Sequence, residues 1–128
     1  MAKSFASVPL AIVALLAFAA PSYAAGPPRV GDTAKGKTLV DDRGMTLYTF
    51  DKDAGGKSAC NGKCMQSWPP LKVDAGAAPP AGYSVIVRND GTRQWAYKGK
   101  PLYGWVKDKK PGDTTGDNFR KVWHIAQP

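Results

Sequence analysis

Two cysteines, one histidine and ten aspartates carry most of the chemistry open to this 128-residue chain. Cys60 and Cys64 are the only cysteines, and Asn61-Gly62-Lys63 lies between them. An even pair in an exported chain reads most simply as a disulfide. Closing so short a loop stabilises by roughly 2 kcal/mol in the chain-entropy picture. A redox-active pair would more usually have two residues between its sulfurs, and metal-linked thiolates would need further ligands. A covalent haem would need histidine after the second cysteine, where Met65 stands. His124, in Val122-Trp123-His124-Ile125, reads as a packed strand histidine. The competing reading makes it a copper or haem ligand with Met45 or Met65 as a soft partner.

The aspartates offer two further constellations. Asp108, Asp113 and Asp117 lie in a glycine-containing stretch that could wrap calcium, but calcium loops with a sequence code place Asp at alternate positions. Ordinary long turns use the same residue types. Asp53 and Asp108 each follow a tyrosine by five residues. They are expected to accept hydrogen bonds from turn amides rather than to serve as an acid–base pair. No serine-nucleophile, phosphate-loop or zinc-protease motif is present. No catalytic residue, cofactor or metal is expected.

The elements that position these groups announce themselves by repetition. Gly44-Met-Thr-Leu-Tyr-Thr-Phe-Asp-Lys-Asp53 returns as Gly99-Lys-Pro-Leu-Tyr-Gly-Trp-Val-Lys-Asp108. Tyr48 thus matches Tyr103, Phe50 matches Trp105 and Asp53 matches Asp108, without a gap. Each copy reads as strand, glycine turn, strand, over about 38–53 and 93–108. Alternation along a strand puts Tyr48 with Phe50, and Tyr103 with Trp105, on one face. Leu47 and Leu102 then face the other way, so both faces are apolar and both need covering. The fold predicted is mainly β, a small antiparallel sandwich or barrel-like domain with one short helical turn over 61–68. Asp90-Gly91 predicts a two-residue hairpin turn, Lys98-Gly99 a second turn, and 119–126 a closing strand. Trp95 and Trp105, in or beside the repeat, are expected in the core, the alternative being a carbohydrate-binding platform built from the Trp and Tyr side chains.

Composition supports this reading. With 14 Gly, 11 Pro and aspartate as the only acid, the chain is poorly suited to a helical bundle. Residues 1–24 read as a signal peptide, with Lys3, an apolar run from Val8 to Ala20 and small residues before a cut after Ala24. That run is too short for a retained transmembrane anchor. Residues 25–36 read as a flexible mature N-terminus, and 37–128 as a single β domain. The formal net charge of +8 suits either a solvated surface or adhesion to an anionic envelope surface such as acidic lipid or lipopolysaccharide. A nucleic-acid partner is not expected outside the cytoplasm.

Together these residues resemble a known group. The two copies of Tyr-x-aromatic-x-x-Asp, Cys60-x-Gly-x-Cys64 leading to Trp68-Pro-Pro-Leu71, and Trp95-x-Tyr-x-Gly-Lys-Pro-Leu-Tyr103 are similar to the bacterial secreted-repeat lipoprotein family with a Tyr-x4-Asp motif. Lys110-Pro-Gly-Asp113 and Trp123-His124 extend the likeness over roughly 36–127. The resemblance implies an exported bacterial protein of repeated β units, without an established activity. Many such proteins are lipoproteins, but no cysteine stands near the expected cut. The function expected is an exported, periplasmic or secreted binding or envelope-associated protein, not an enzyme. The alternative is a metal- or redox-linked periplasmic protein using His124 with Met65 or the cysteines.

Overall fold

The computed structural model describes residues 24–128, so the expected signal peptide lies outside the described residues except for Ala24. Along the chain run β1 (Ala24–Ala25), β2 (Arg29–Thr33), β3 (Gly36–Val40) and β4 (Tyr48–Phe50). A one-turn helix α1 (Lys63–Ser67) follows, then β5 (Lys72–Val73), β6 (Tyr83–Val87), β7 (Arg93–Tyr97) and β8 (Lys100–Pro101). A 3-10 turn (Phe119–Lys121) leads into β9 (Trp123–Ile125). The domain is a small, mainly β structure built from two repeats.

One sheet has the order β1-β5-β7-β6, with β8 added to β7, while β2-β3 and β4-β9 form two antiparallel ribbons. All pairings are antiparallel except β1 with β5. Two apolar clusters lie on opposite faces of the motif strands, as alternation demands. Leu47, Leu102, Leu39, Leu71 and Trp95 fill one. Tyr48, Tyr103, Trp68, Trp105 and Trp123 fill the other.

The repeats do not stack as separate units; they exchange partners. Tyr48 and Tyr103 face each other across an antiparallel bridge and trade amide bonds at 2.8 and 3.0 Å. The tail of each repeat then pairs with the motif strand of the other. Ala126 N–H donates to Leu47 O at 2.8 Å, and its counterpart Leu71 N–H donates to Leu102 O at 3.0 Å. Asp51 N–H reaches Val122 O, and Val106 N–H reaches Ser67 O. An approximate two-fold axis therefore passes between Tyr48 and Tyr103. Neither repeat can satisfy its own backbone alone.

Three local expectations need correction. Residues 25–36, expected as a flexible lead-in, include the second residue of β1 and all of β2. Ala25 is buried and its carbonyl accepts bonds from Asp74 N–H and the Trp95 indole, while β2 pairs along its whole length with β3. Small and polar residues suited a tail by composition, yet a partner strand and an indole donor hold them. Asp90-Gly91 belongs to a three-residue loop, with Arg88 N–H bonded to Thr92 O and Gly91 at φ +84°. The Asp90 carboxylate fixes it by accepting from Thr92 N–H and Oγ1. The expected strand over 119–126 begins only at Trp123, because Asn118, Arg120 and Lys121 all adopt positive φ in the turn before it. That turn is the second repeat's counterpart of α1.

Candidate functional site at the repeat axis

The motif side chains meet around the two-fold axis. Tyr48 Oη donates to Asp108 Oδ2 at 2.6 Å, and Tyr103 Oη donates to Asp53 Oδ2 at 2.7 Å. The pairs are crossed, so each repeat's tyrosine serves the other repeat's aspartate. Each carboxylate also orders the loop after its own strand. Asp53 Oδ1 accepts from Ala59 N–H at 2.7 Å, and Asp108 Oδ1 accepts from Thr115 N–H at 3.0 Å and from the Thr115 hydroxyl. Burial, then the adjacent carboxylates, raise both phenols far above the ordinary tyrosine range. Burial also raises Asp53, against the opposing pull of Ala59 N–H, the Tyr103 hydroxyl and the Arg88 charge. This arrangement ties the halves together.

Beside the crossed pairs, four aromatic rings form one continuous stack. Phe50 stacks on Trp123 at 4.1 Å, Trp123 on Trp68 at 3.9 Å, and Trp68 on Trp105 at 4.0 Å. The order is palindromic about the axis, since Phe50 corresponds to Trp105 and Trp68 to Trp123 at the same 55-residue spacing that relates Tyr48 to Tyr103. Gly116 packs against the stack; a Cβ there would lie 2.7 Å from Trp68 and 3.0 Å from Trp105.

The family described as a secreted repeat of unknown function matches the chain twice, over residues 29–72 and 84–127. The chain belongs to this family. Both ends of the match are displaced by the spacing that relates Tyr48 to Tyr103, so the matched unit is longer than the strand-turn-strand read from the motif and includes the disulfide loop and the paired tails. No curated protein and no solved structure matches it. Among the described residues no helix is long and apolar enough to cross a membrane.

In this secreted-repeat protein the stack floors a groove of about 550 Å³ that straddles the axis. Phe50, Trp68 and Cys64 come from the first repeat, and Trp105, Trp123 and Phe119 come from the equivalent positions of the second. The two inner rings, Trp68 and Trp123, spend both faces on their neighbours and are each 3% exposed. Of the other rings lining the groove, Trp105 lies under the Lys107 ammonium at 5.9 Å and Phe119 under the Arg120 guanidinium at 5.4 Å. Lys52, Lys63 and Arg120, with Ser67 and Val122, complete its lining, and no acidic residue joins them. Arg120 is presented from a left-handed backbone at φ +49°, with Asn118 at +63° and Lys121 at +62° beside it. Holding non-glycine residues there costs on the order of 1 kcal/mol each, and such strain concentrates where side chains are put to use.

The other residues singled out in the sequence are dispersed. Cys60 and Cys64 are bonded to each other, so neither sulfur is a thiolate ligand. The His124 ring bonds Asp51 Oδ2 at 2.8 Å, whereas Met45 lines a different cavity and Met65 lies on α1. Asp113 accepts from the Lys109 and Lys110 amides, Asp117 from Ile125 N–H and Lys35, and Asp108 from Tyr48 and Thr115. The three aspartates thus serve separate donors. Among the described residues no cluster of three His, Cys, Asp or Glu side chains forms.

One buried residue escaped the sequence reading. Arg88, 4% exposed, sends Nη1 to Gln94 Oε1 and Ser58 Oγ at 2.7 and 2.9 Å. Its Nη2 reaches the Cys60 carbonyl and Asn61 Oδ1. Ser58 Oγ lies 2.6 Å from Tyr103 Oη, so the disulfide loop, Arg88 and the Tyr103–Asp53 pair form one network. The first repeat carries Thr33 at the equivalent position, so comparing the repeats gave no signal.

Proposed function

We propose that this protein is a non-enzymatic, periplasmic envelope-associated module that binds phosphate-bearing anionic surfaces through the groove on its two-fold axis. The reading rests on one observation: a groove floored by aromatic rings, lined also by Lys52, Lys63 and Arg120, and by no acid. Strain at Arg120 supports it, since a relaxed turn would use asparagine or glycine there. The formal net charge of +8 adds long-range attraction to the same kind of partner. In this reading the Tyr-x4-Asp signature of both repeats is the device that builds the groove rather than the surface that binds. The family description supplies the secreted character, and the periplasm is the compartment in which such a surface would be met.

Cosedimentation with phosphatidylglycerol vesicles, against phosphatidylcholine vesicles as control, tests it. Binding should be selective for the anionic lipid, weaken with salt, and fall severalfold in Lys52→Gln/Lys63→Gln/Arg120→Gln. Equal binding by that variant would defeat the groove assignment.

A further inference from the structure

Besides the groove on the axis, the repeat symmetry creates a pair of cavities, one on each flank, and these have different chemistry. Arg43, Met45, Pro69, Gly104 and Val106 line the first, of about 450 Å³. The residues at the equivalent positions, Lys98, Lys100, His124, Thr49 and Asp51, line the second, of about 250 Å³. Each pair is separated by the same 55 residues that relate Tyr48 to Tyr103. The first cavity keeps a cation, Arg43, at the position of Lys98 and is also lined by Asp108 and Lys109, but it has methionine, proline, glycine and valine at the other four positions. The second has lysine, histidine, threonine and aspartate in their places. Shape alone therefore does not call for the polar set.

Two further observations point to a ligand. Lys98 opens the two-residue turn between β7 and β8 at φ +48°, followed by Gly99 at +78°. Asparagine or glycine is preferred at that first position, so a cation is held there against backbone strain. The β4–β9 ribbon places Thr49 directly opposite His124, and Gln127 follows on the same wall. Two lysines, an imidazole, a hydroxyl and an amide line it, with the Lys98 ammonium 5.2 Å from the Tyr97 ring centroid, while the single carboxylate, Asp51, is held by His124 at 2.8 Å.

We propose that this flank cavity is a binding site for a phosphate group, either free or as the terminus of a phosphomonoester. Lys98 and Lys100 supply charge; Thr49 and Gln127 supply directed hydrogen bonds. The cavity has room for the group with a few waters, at about 30 Å³ per water. This inference goes beyond the groove on the axis and stands on different residues.

The test is a chemical-shift titration of the mature protein with inorganic phosphate, with methyl phosphate and with acetate. Phosphate should give saturable shifts at Thr49, His124 and Gln127, with an affinity in the millimolar range or better. Lys98→Asn should weaken binding about tenfold without lowering the melting temperature, because asparagine tolerates positive φ. Lys100→Gln, which leaves the turn untouched, should weaken it similarly. Methyl phosphate binding at the same residues would mark a monoester site, and its exclusion a site for the free ion; both uphold the assignment. Absence of saturable shifts, acetate binding as well as phosphate, or unchanged affinity in both lysine variants would overturn it.

Discussion

Replacing Tyr48 by phenylalanine removes one hydroxyl and should reveal how the repeats are joined. That hydroxyl donates to the Asp108 carboxylate at 2.6 Å and accepts from Gly116 N–H at 3.3 Å, and Tyr48 is fully buried. A hydrogen bond to a charged group contributes about 1.5–3 kcal/mol, and the variant leaves a buried carboxylate oxygen short of a donor. The loss should therefore be about 1.5–3 kcal/mol, or on the order of 10 °C in melting temperature for a domain of this size. A double-mutant cycle measured by chemical denaturation locates the partner. Tyr48→Phe and Asp108→Ala should couple by about 1 kcal/mol or more, because they disrupt one bond. Tyr48→Phe and Asp53→Ala should be additive within about 0.5 kcal/mol, although both belong to the first repeat. Coupling within the repeat and additivity across it would refute the crossed arrangement.

Other outcomes follow from the same contacts. The raised phenols of Tyr48 and Tyr103 keep their protons in the fold, whereas unfolded tyrosines ionise near pH 10. Their contribution is thus complete below about pH 10 and is lost above it, at about 1.4 kcal/mol per tyrosine per pH unit; Tyr48→Phe should roughly halve that slope in alkaline denaturation curves. Gly116→Ala places a methyl within 3.0 Å of two indoles, and should cost about 1–3 kcal/mol with altered near-ultraviolet dichroism. Arg88→Lys keeps the charge but cannot reproduce a fork that reaches Ser58, Gln94, Cys60 and Asn61, and should destabilise by about 2 kcal/mol in urea titration. Thiol titration of the denatured, unreduced protein should find no free cysteine, and reduction should lower stability by roughly 2 kcal/mol.

Much of the fold was legible because it depends on local rules. Alternation along Leu47-Tyr48-Thr49-Phe50 placed leucines and aromatics in opposite cores. Gly44 and Gly99 marked the turns through their positive φ. The capping of loop amides by Asp53 and Asp108 follows from the donors that turns leave unpaired. What escaped was long-range. Nothing in a single copy of the motif shows that its tyrosine serves the other copy's aspartate. The Trp68–Trp123 stack joins residues 55 apart, yet their flanking sequences, Gln-Ser-Trp-Pro and Lys-Val-Trp-His, share no neighbour on either side. Arg88 is the clasp of the disulfide loop, a role that depends on partners some 30 residues away and that no local pattern signals. The strained cations Lys98 and Arg120 were invisible because φ is a property of the folded backbone.

The groove on the axis is tested most directly by the four indole N–H resonances of the mature protein. Trp68, Trp105 and Trp123 belong to the stack beneath the groove, while Trp95 lies in the opposite core with its indole bonded to Ala25 O at 2.9 Å. On addition of phosphatidylglycerol bicelles, the first three signals should shift together with the amides of Lys52, Lys63 and Arg120, and Trp95 should stay in place. Shifts spread equally over all four indoles, or confined to residues outside the groove, would contradict the assignment.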